Sequence, residues 1–211
     1  RTGQLHLTLP LAAGFMLLAP LLAVGLYETS RRLEMGENVT LWHSLNGFRR
    51  NPGQIGAIGI MLMLFFLVWT RIAMLLFALF YNGTVPSLDV LVWETFFSRD
   101  AMTFLITGSI LGGALAIMVF AVSVVSIPLL VDRDVDVITA VIISVAAFRK
   151  NWKVLTGWAA VIAILSACGL VVFLFGMAVI MPLLGFSSWH AYRGIIDTSQ
   201  TDVARLRRKT A

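Results

Sequence analysis

Four long stretches of the chain, about 8–27, 55–81, 102–131 and 154–187, are apolar almost without interruption, and short segments between them restore charge and small polar residues. About 20 apolar residues suffice to cross the hydrocarbon core of a bilayer as a helix, and every stretch reaches that length. Lipid offers no partner for backbone N–H and C=O groups, so the stretches are predicted to be helical even where Val and Ile would favour strands in water. The expectation is an all-α, polytopic transmembrane helical bundle forming a single integral membrane domain over 1–211.

The fourth stretch holds about 34 residues, roughly 50 Å as a helix against a hydrocarbon core of about 30 Å. Either it tilts and bends, or it crosses twice. Basic residues cluster in 28–53 (Arg31, Arg32, Arg49, Arg50), in 132–153 (Arg133, Arg149, Lys150, Lys153) and in the tail (Arg193, Arg205, Arg207, Arg208, Lys209), whereas 83–101 holds Arg99 alone. An excess of Lys and Arg marks the cytoplasmic side, which places 83–101 outside and the other three segments inside. A cytoplasmic tail needs an even number of crossings in 154–187. A hairpin turning near Ser166 to Gly169 is therefore favoured over one bent helix with an outside tail. The same orientation leaves Arg1 outside, so a cytoplasmic native N-terminus would require one more helix upstream.

The two inner basic segments match each other at an offset of one hundred residues. Leu41, Trp42, Ser44 and Leu45 align with Val141, Ile142, Ser144 and Val145, and Phe48-Arg49-Arg50-Asn51 aligns with Phe148-Arg149-Lys150-Asn151. Pro20-Leu21-Leu22 and Pro128-Leu129-Leu130 close the preceding spans. The pattern predicts a duplicated unit of membrane helix, amphipathic helix and membrane helix, with copies at about 8–82 and 102–190. Within each copy the apolar positions recur at i, i+3, i+4 and i+7, the spacing of one helical face. Such a helix can lie in the headgroup plane with its apolar face down, or extend the membrane helix and pack on a neighbour. Both arrangements put Arg49, Arg50, Arg149 and Lys150 at the inner interface.

Composition agrees with a membrane setting: 59% of residues are hydrophobic and 13% charged, about half the charged share of a soluble domain. The net charge of +5 is spread over several loops, forms no basic stripe with interleaved aromatics, and fits anionic lipid rather than nucleic acid. Cys168 lies in an apolar run with no second cysteine for a disulfide and no His at metal-ligand spacing, which points to packing.

Arg71 is the one charge well inside a long apolar stretch, and an intramembrane cation is a functional candidate by default. It lies toward the outer end of its stretch, where it can snorkel to the surface or pair with Glu94 or Asp100. Asp132, Asp134 and Asp136 alternate as some cation sites do, but the glycine and distant Glu of a calcium loop are missing. A junction whose carboxylates stabilise the following helix fits better. His6, His43 and His190 lie at or beyond the span ends, too few and too far out to build a haem-copper core. Trp189, His190, Tyr192 and Arg193 read as an aromatic and cationic anchor at the inner surface. Gly108 and Gly112, with Gly113 and Ala116 beside them, form a small face that another helix can approach closely. No hydrolase, nucleotide-binding, zinc-protease or CxxC motif occurs, so no enzyme, catalytic residue, metal site or cofactor is expected.

Three segments together resemble a known group: Gly25-Leu26-Tyr27-Glu28-Thr29-Ser30-Arg31-Arg32, Ser126-Ile127-Pro128-Leu129-Leu130-Val131-Asp132-Arg133-Asp134-Val135 and Trp189-His190-Ala191-Tyr192-Arg193. They are similar to prokaryotic integral membrane proteins grouped as domain of unknown function 2189, over nearly the whole chain. The resemblance implies a bacterial inner (cytoplasmic) membrane protein, with a further hydrophobic span upstream. Some members carry the label of a cytochrome c oxidase subunit; without haem or copper ligands here, that label implies an accessory subunit at most. The functional expectation is a non-enzymatic accessory or assembly component, its partners the lipid bilayer and other membrane subunits. The alternative is a small-solute or lipid transporter using Arg71 and the gap between repeats.

Overall fold

The computed structural model describes residues 20–21, 23–81, 99–171 and 174–210, with the side chains at 41, 81, 99–101, 170–171, 174–175 and 197–210 outside the described set. Among the described residues all regular structure is helical: α1 (Val24–Glu34), α2 (Leu41–Leu45), α3 (Gly47–Arg50), α4 (Pro52–Tyr81), α5 (Arg99–Ser123), α6 (Ser126–Asp132), α7 (Val137–Lys150), α8 (Trp152–Val171) and α9 (Leu174–Thr210). The all-α reading is thus met. Among the described residues three stretches are long and apolar enough to cross a membrane: Pro52–Phe80, Met102–Asp132 and Trp152–Gly169. They coincide with the second and third expected spans and the first part of the fourth. The expected span at 8–27 lies mostly outside the described residues.

The described residues fall into two compact units, one within 59–119 and the other within 20–58 and 120–210. In the first, α4 and α5 meet through aromatic contacts, Phe80 lying edge-on to Phe104 with centroids 5.8 Å apart. Gly112 faces the indole of Trp69, whose Cη2 is 2.9 Å from where a Cβ would stand, and Gly108 faces Leu76. The small face of the third span therefore receives a side chain of the second. Gly113, one residue on, has open space where its Cβ would be.

The second unit is built from local signals that the sequence carries openly. α1 ends in a Schellman motif: Gly36 adopts φ 73°, its N–H bonds the Leu33 carbonyl at 3.1 Å, and the Glu37 N–H bonds the Arg32 carbonyl at 3.0 Å. Pro52 opens α4 at the position where its missing N–H costs nothing. Between α5 and α6 the helix breaks at Val124 and Val125. Pro128 supplies no N–H to the Val124 carbonyl, and its ring crowds that group. The Val125 N–H is taken instead by Ser144 Oγ on α7 at 3.1 Å, while that hydroxyl donates to the Ala121 carbonyl at 2.7 Å. Asp136 caps α7, its Oδ2 accepting the Thr139 N–H at 2.8 Å. That bond, foremost among the causes, holds the Asp136 carboxyl below its ordinary pKa.

α4 has 30 residues, roughly 45 Å, more than a hydrocarbon core needs. Its first turns are used in packing: Asn51 Nδ2 donates to the Val135 carbonyl at 3.0 Å, and Gln54 Oε1 accepts the Val137 N–H at 2.9 Å. The fourth apolar stretch falls in two helices, α8 and α9, and Ser166–Gly169, the site of the expected turn, lie inside α8. Gly169 packs directly on Gly176, with Met177 and Ile180 beside it. The small residues expected to form the turn remain helical because they provide the surface on which α8 and α9 approach each other.

Candidate functional site

α1 places Glu28, Arg31 and Arg32 at i, i+3 and i+4, so the three side chains share a face. Gly47 of α3 lies on that face; a Cβ there would come within 2.9 Å of the Val24 carbonyl oxygen and 3.0 Å of Glu28 Cβ. α3 thereby closes over Glu28, whose accessible surface is 0%. A carboxylate withdrawn from water needs full compensation. Arg31 supplies it through two bonds, Nε to Oε2 and Nη2 to Oε1, both 2.9 Å, and Arg32 Nε donates to Oε1 at 2.6 Å. Arg32 also reaches Glu37 at 2.9 Å, a pair that the Schellman turn positions. Burial pushes the Glu28 carboxyl up, but the bonds from Arg31 and Arg32 outweigh it and leave the pKa below its usual value. The bond to Glu28 is the main cause that raises Arg31 in turn.

The C-terminal residues of α1 and α6 meet a single face of α9. Trp189, Tyr192 and Arg193 stand at i, i+3 and i+4. Trp189 Nε1 donates to Glu34 Oε1 at 2.9 Å, and Arg193 Nε pairs with Glu34 Oε2 at 3.0 Å. The Tyr192 hydroxyl donates to Asp132 Oδ2 at 2.8 Å, an oxygen that Arg193 approaches at 3.6 Å and Arg133 at 3.7 Å. Burial, then the bond to Asp132, raises the Tyr192 pKa and keeps the phenol a proton donor. The rings of Tyr27, Trp189 and Tyr192 pack in sequence, with centroids 6.2 and 5.4 Å apart, and the Arg193 guanidinium lies 6.0 Å from the Trp189 ring centre.

Trp189 and Tyr192, expected as part of an anchor at the inner surface, are buried within the protein, while His190 between them is exposed. A buried indole or phenol needs a partner for its N–H or O–H, and Glu34 and Asp132 provide one each. Arg193 joins them. Elsewhere, Arg49, Arg50, Arg149 and Lys150 are exposed at the ends of α3 and α7. Arg71 is exposed on α4; Glu94 and the side chain of Asp100, its expected partners, lie outside the described residues. His43 serves as a local cap, its Nδ1 accepting the Thr40 N–H at 3.3 Å. Asp132, Asp134 and Asp136 diverge: the first joins the network, the last caps α7, and no group of three or more His, Cys, Asp or Glu suited to a metal ion occurs among the described residues.

Glu34 and the pairing role of Glu28 carry no motif of their own. Their only signal in sequence is spacing, acid and bases on one side of α1 and aromatic, phenol and base on one side of α9.

No curated protein and no solved structure matches the chain. A family model described as a predicted integral membrane protein (DUF2189) matches residues 8–132, which contain Glu28, Arg31, Arg32, Glu34 and Asp132; Trp189, Tyr192 and Arg193 lie beyond the matched part. With more than half of its 211 residues so matched, the chain belongs to the DUF2189 family of predicted integral membrane proteins.

Proposed function

We propose that the protein is a non-enzymatic component of the bacterial inner membrane that packs with, or assists assembly of, a larger membrane complex, a respiratory one being one candidate. The closure of the ion network supports this reading. Buried Glu28 accepts from Arg31 and Arg32 of its own helix, and the more accessible Glu34 and Asp132 accept from Trp189, Tyr192 and Arg193 of α9, so these acids are committed to structural pairing rather than held ready for proton transfer. Outside it, α4 and α5 carry exposed Ile60, Leu64, Leu67, Leu75, Ile106, Ile110 and Ile117, a surface suited to lipid and to other membrane helices. The basic segments orient it with α2, α3 and α7 on the cytoplasmic side.

Tagging the full-length protein at its native locus, extracting it in mild detergent and identifying stoichiometric companions tests the proposal. Recovery with subunits of a membrane complex is the expected result. Recovery alone would overturn it and turn attention to transport, for which Arg71→Ala should then abolish flux without loss of folding.

A further inference from the structure

Both short helical segments of the cytoplasmic face are inside out by the standard of a protein in water. In α2 and α3 the residues turned inward are small or polar: Ser44 Oγ lies 2.7 Å from Thr29 Oγ1, and Gly47 seats on Val24 and Glu28. The apolar residues point away, Trp42 being 79% exposed, Leu45 55% and Phe48 38%. α7 repeats the arrangement. Ala140 and Ser144 are fully buried, Ser144 bonding Val125 and Ala121, while Ile138 is 69% exposed and Ile142 63%.

Water would drive the apolar face inward, so an outward apolar face requires another solvent or a covering partner. Three features identify the occupant. Each segment ends within two residues of a candidate membrane span, Arg49-Arg50 before Pro52 and Arg149-Lys150 before Trp152, which fixes its depth at the edge of the hydrocarbon core. The exposed bases stand beside the apolar face, with Lys153 one residue into α8. Finally, residues 41–58 and 137–157 contain no Asp or Glu, so each segment carries a net positive charge of its own.

We propose that α2–α3 and α7 lie in the interfacial layer of the cytoplasmic leaflet as a pair of feet. Trp42, Leu45, Ile138 and Ile142 enter the acyl boundary, while Arg49, Arg50, Arg149 and Lys150 bind the phosphates of anionic phospholipids. Apolar burial and cation–phosphate attraction act together in this geometry, as in other helices lying in the membrane plane. The proposal is independent of the accessory role, since it concerns the host bilayer and not a protein partner.

The test uses the full chain, with Cys168→Ser, in nanodiscs of phosphatidylcholine with or without phosphatidylglycerol. Nitroxide labels at Trp42→Cys and Ile142→Cys should be relaxed by oxygen more than by a water-soluble nickel chelate, with a label at Met35→Cys as the exposed reference. Equal access of the chelate at positions 42, 142 and 35 would overturn the proposal. So would shielding in native membranes that disappears in lipid-only nanodiscs, because a protein would then be the occupant. Retention of phosphatidylglycerol through delipidation should fall with R49Q, R50Q, R149Q and K150Q, by about fivefold in affinity per charge removed. It should persist in R49K, R50K, R149K and K150R, which controls for folding. Retention unaffected by loss of all four charges would also overturn it.

Discussion

Glu34, the last residue of α1, accepts the indole N–H of Trp189 at 2.9 Å across a separation of 155 residues. The same carboxylate pairs with Arg193 one turn further along α9. One acid at a helix end thus sets both the rotation and the position of the C-terminal helix against α1, which nothing local to either segment could do.

Replacing Trp189 by Phe removes that donor from a fully buried site and leaves part of the indole volume empty. A loss of about 2–4 kcal/mol is expected from the charged hydrogen bond and the cavity together. Glu34→Gln keeps an acceptor for the indole and should cost less. Thermal unfolding of the two purified variants in the same detergent should rank them in that order.

Glu28→Ala would leave the Arg31 and Arg32 guanidiniums, with side chains 12% and 21% exposed, without their central anion. Breaking a buried pair from one side costs about 3–5 kcal/mol. A unfolding midpoint within a degree of the parent would show that water enters and replaces the carboxylate.

The lowered pKa of Glu28 also predicts acid sensitivity. A carboxyl that holds its proton less tightly when folded contributes stability above its unfolded pKa, about 4.3, and loses it as pH falls through the lower folded value. Stability should be flat from neutral pH down to about 5 with respect to this group and then decline. In Glu28→Gln that part of the decline should vanish. Equilibrium unfolding at a series of pH values measures both slopes.

Gly112→Ala places a methyl group against the Trp69 indole, a rigid neighbour 2.9 Å away, whereas Gly113→Ala meets open space. Overpacking of the first kind costs about 1–3 kcal/mol. The second should be neutral or slightly stabilising, since Ala favours the helix. Equal effects of the two substitutions would refute internal packing of this face.

Two crossings by α8 and α9 would place Lys153 and His190 on one side of the bilayer. In a Cys168→Ser background, Lys153→Cys and His190→Cys should react with a membrane-impermeant maleimide from the same side, in inverted vesicles and not in right-side-out ones. Opposite sidedness of the two would mean a single crossing.

Much of this protein is legible in its sequence because the bilayer is an exacting solvent. Unbroken apolar length forces helices at 55–81 and 102–131, Pro128 announces the break before α6, Asp136 marks the start of α7, and Gly36 the end of α1. Spacing likewise determines that Glu28, Arg31 and Arg32 share a face, as do Trp189, Tyr192 and Arg193. Tertiary structure alone decided which way those faces point and what they meet. Trp189 and Tyr192 carry the composition of an interfacial belt, yet close packing of α9 on α1 and α6 turns them inward, where Glu34 and Asp132 satisfy their polar atoms. Trp42 and Ile142 carry the periodicity of core residues, yet Ser44, Gly47 and Ser144 take the inner face because a helix can come close only on small side chains. Helical periodicity specifies which residues stand together. Whether that group turns inward depends on competition among protein, lipid and water, and contacts between residues far apart in the chain decide it.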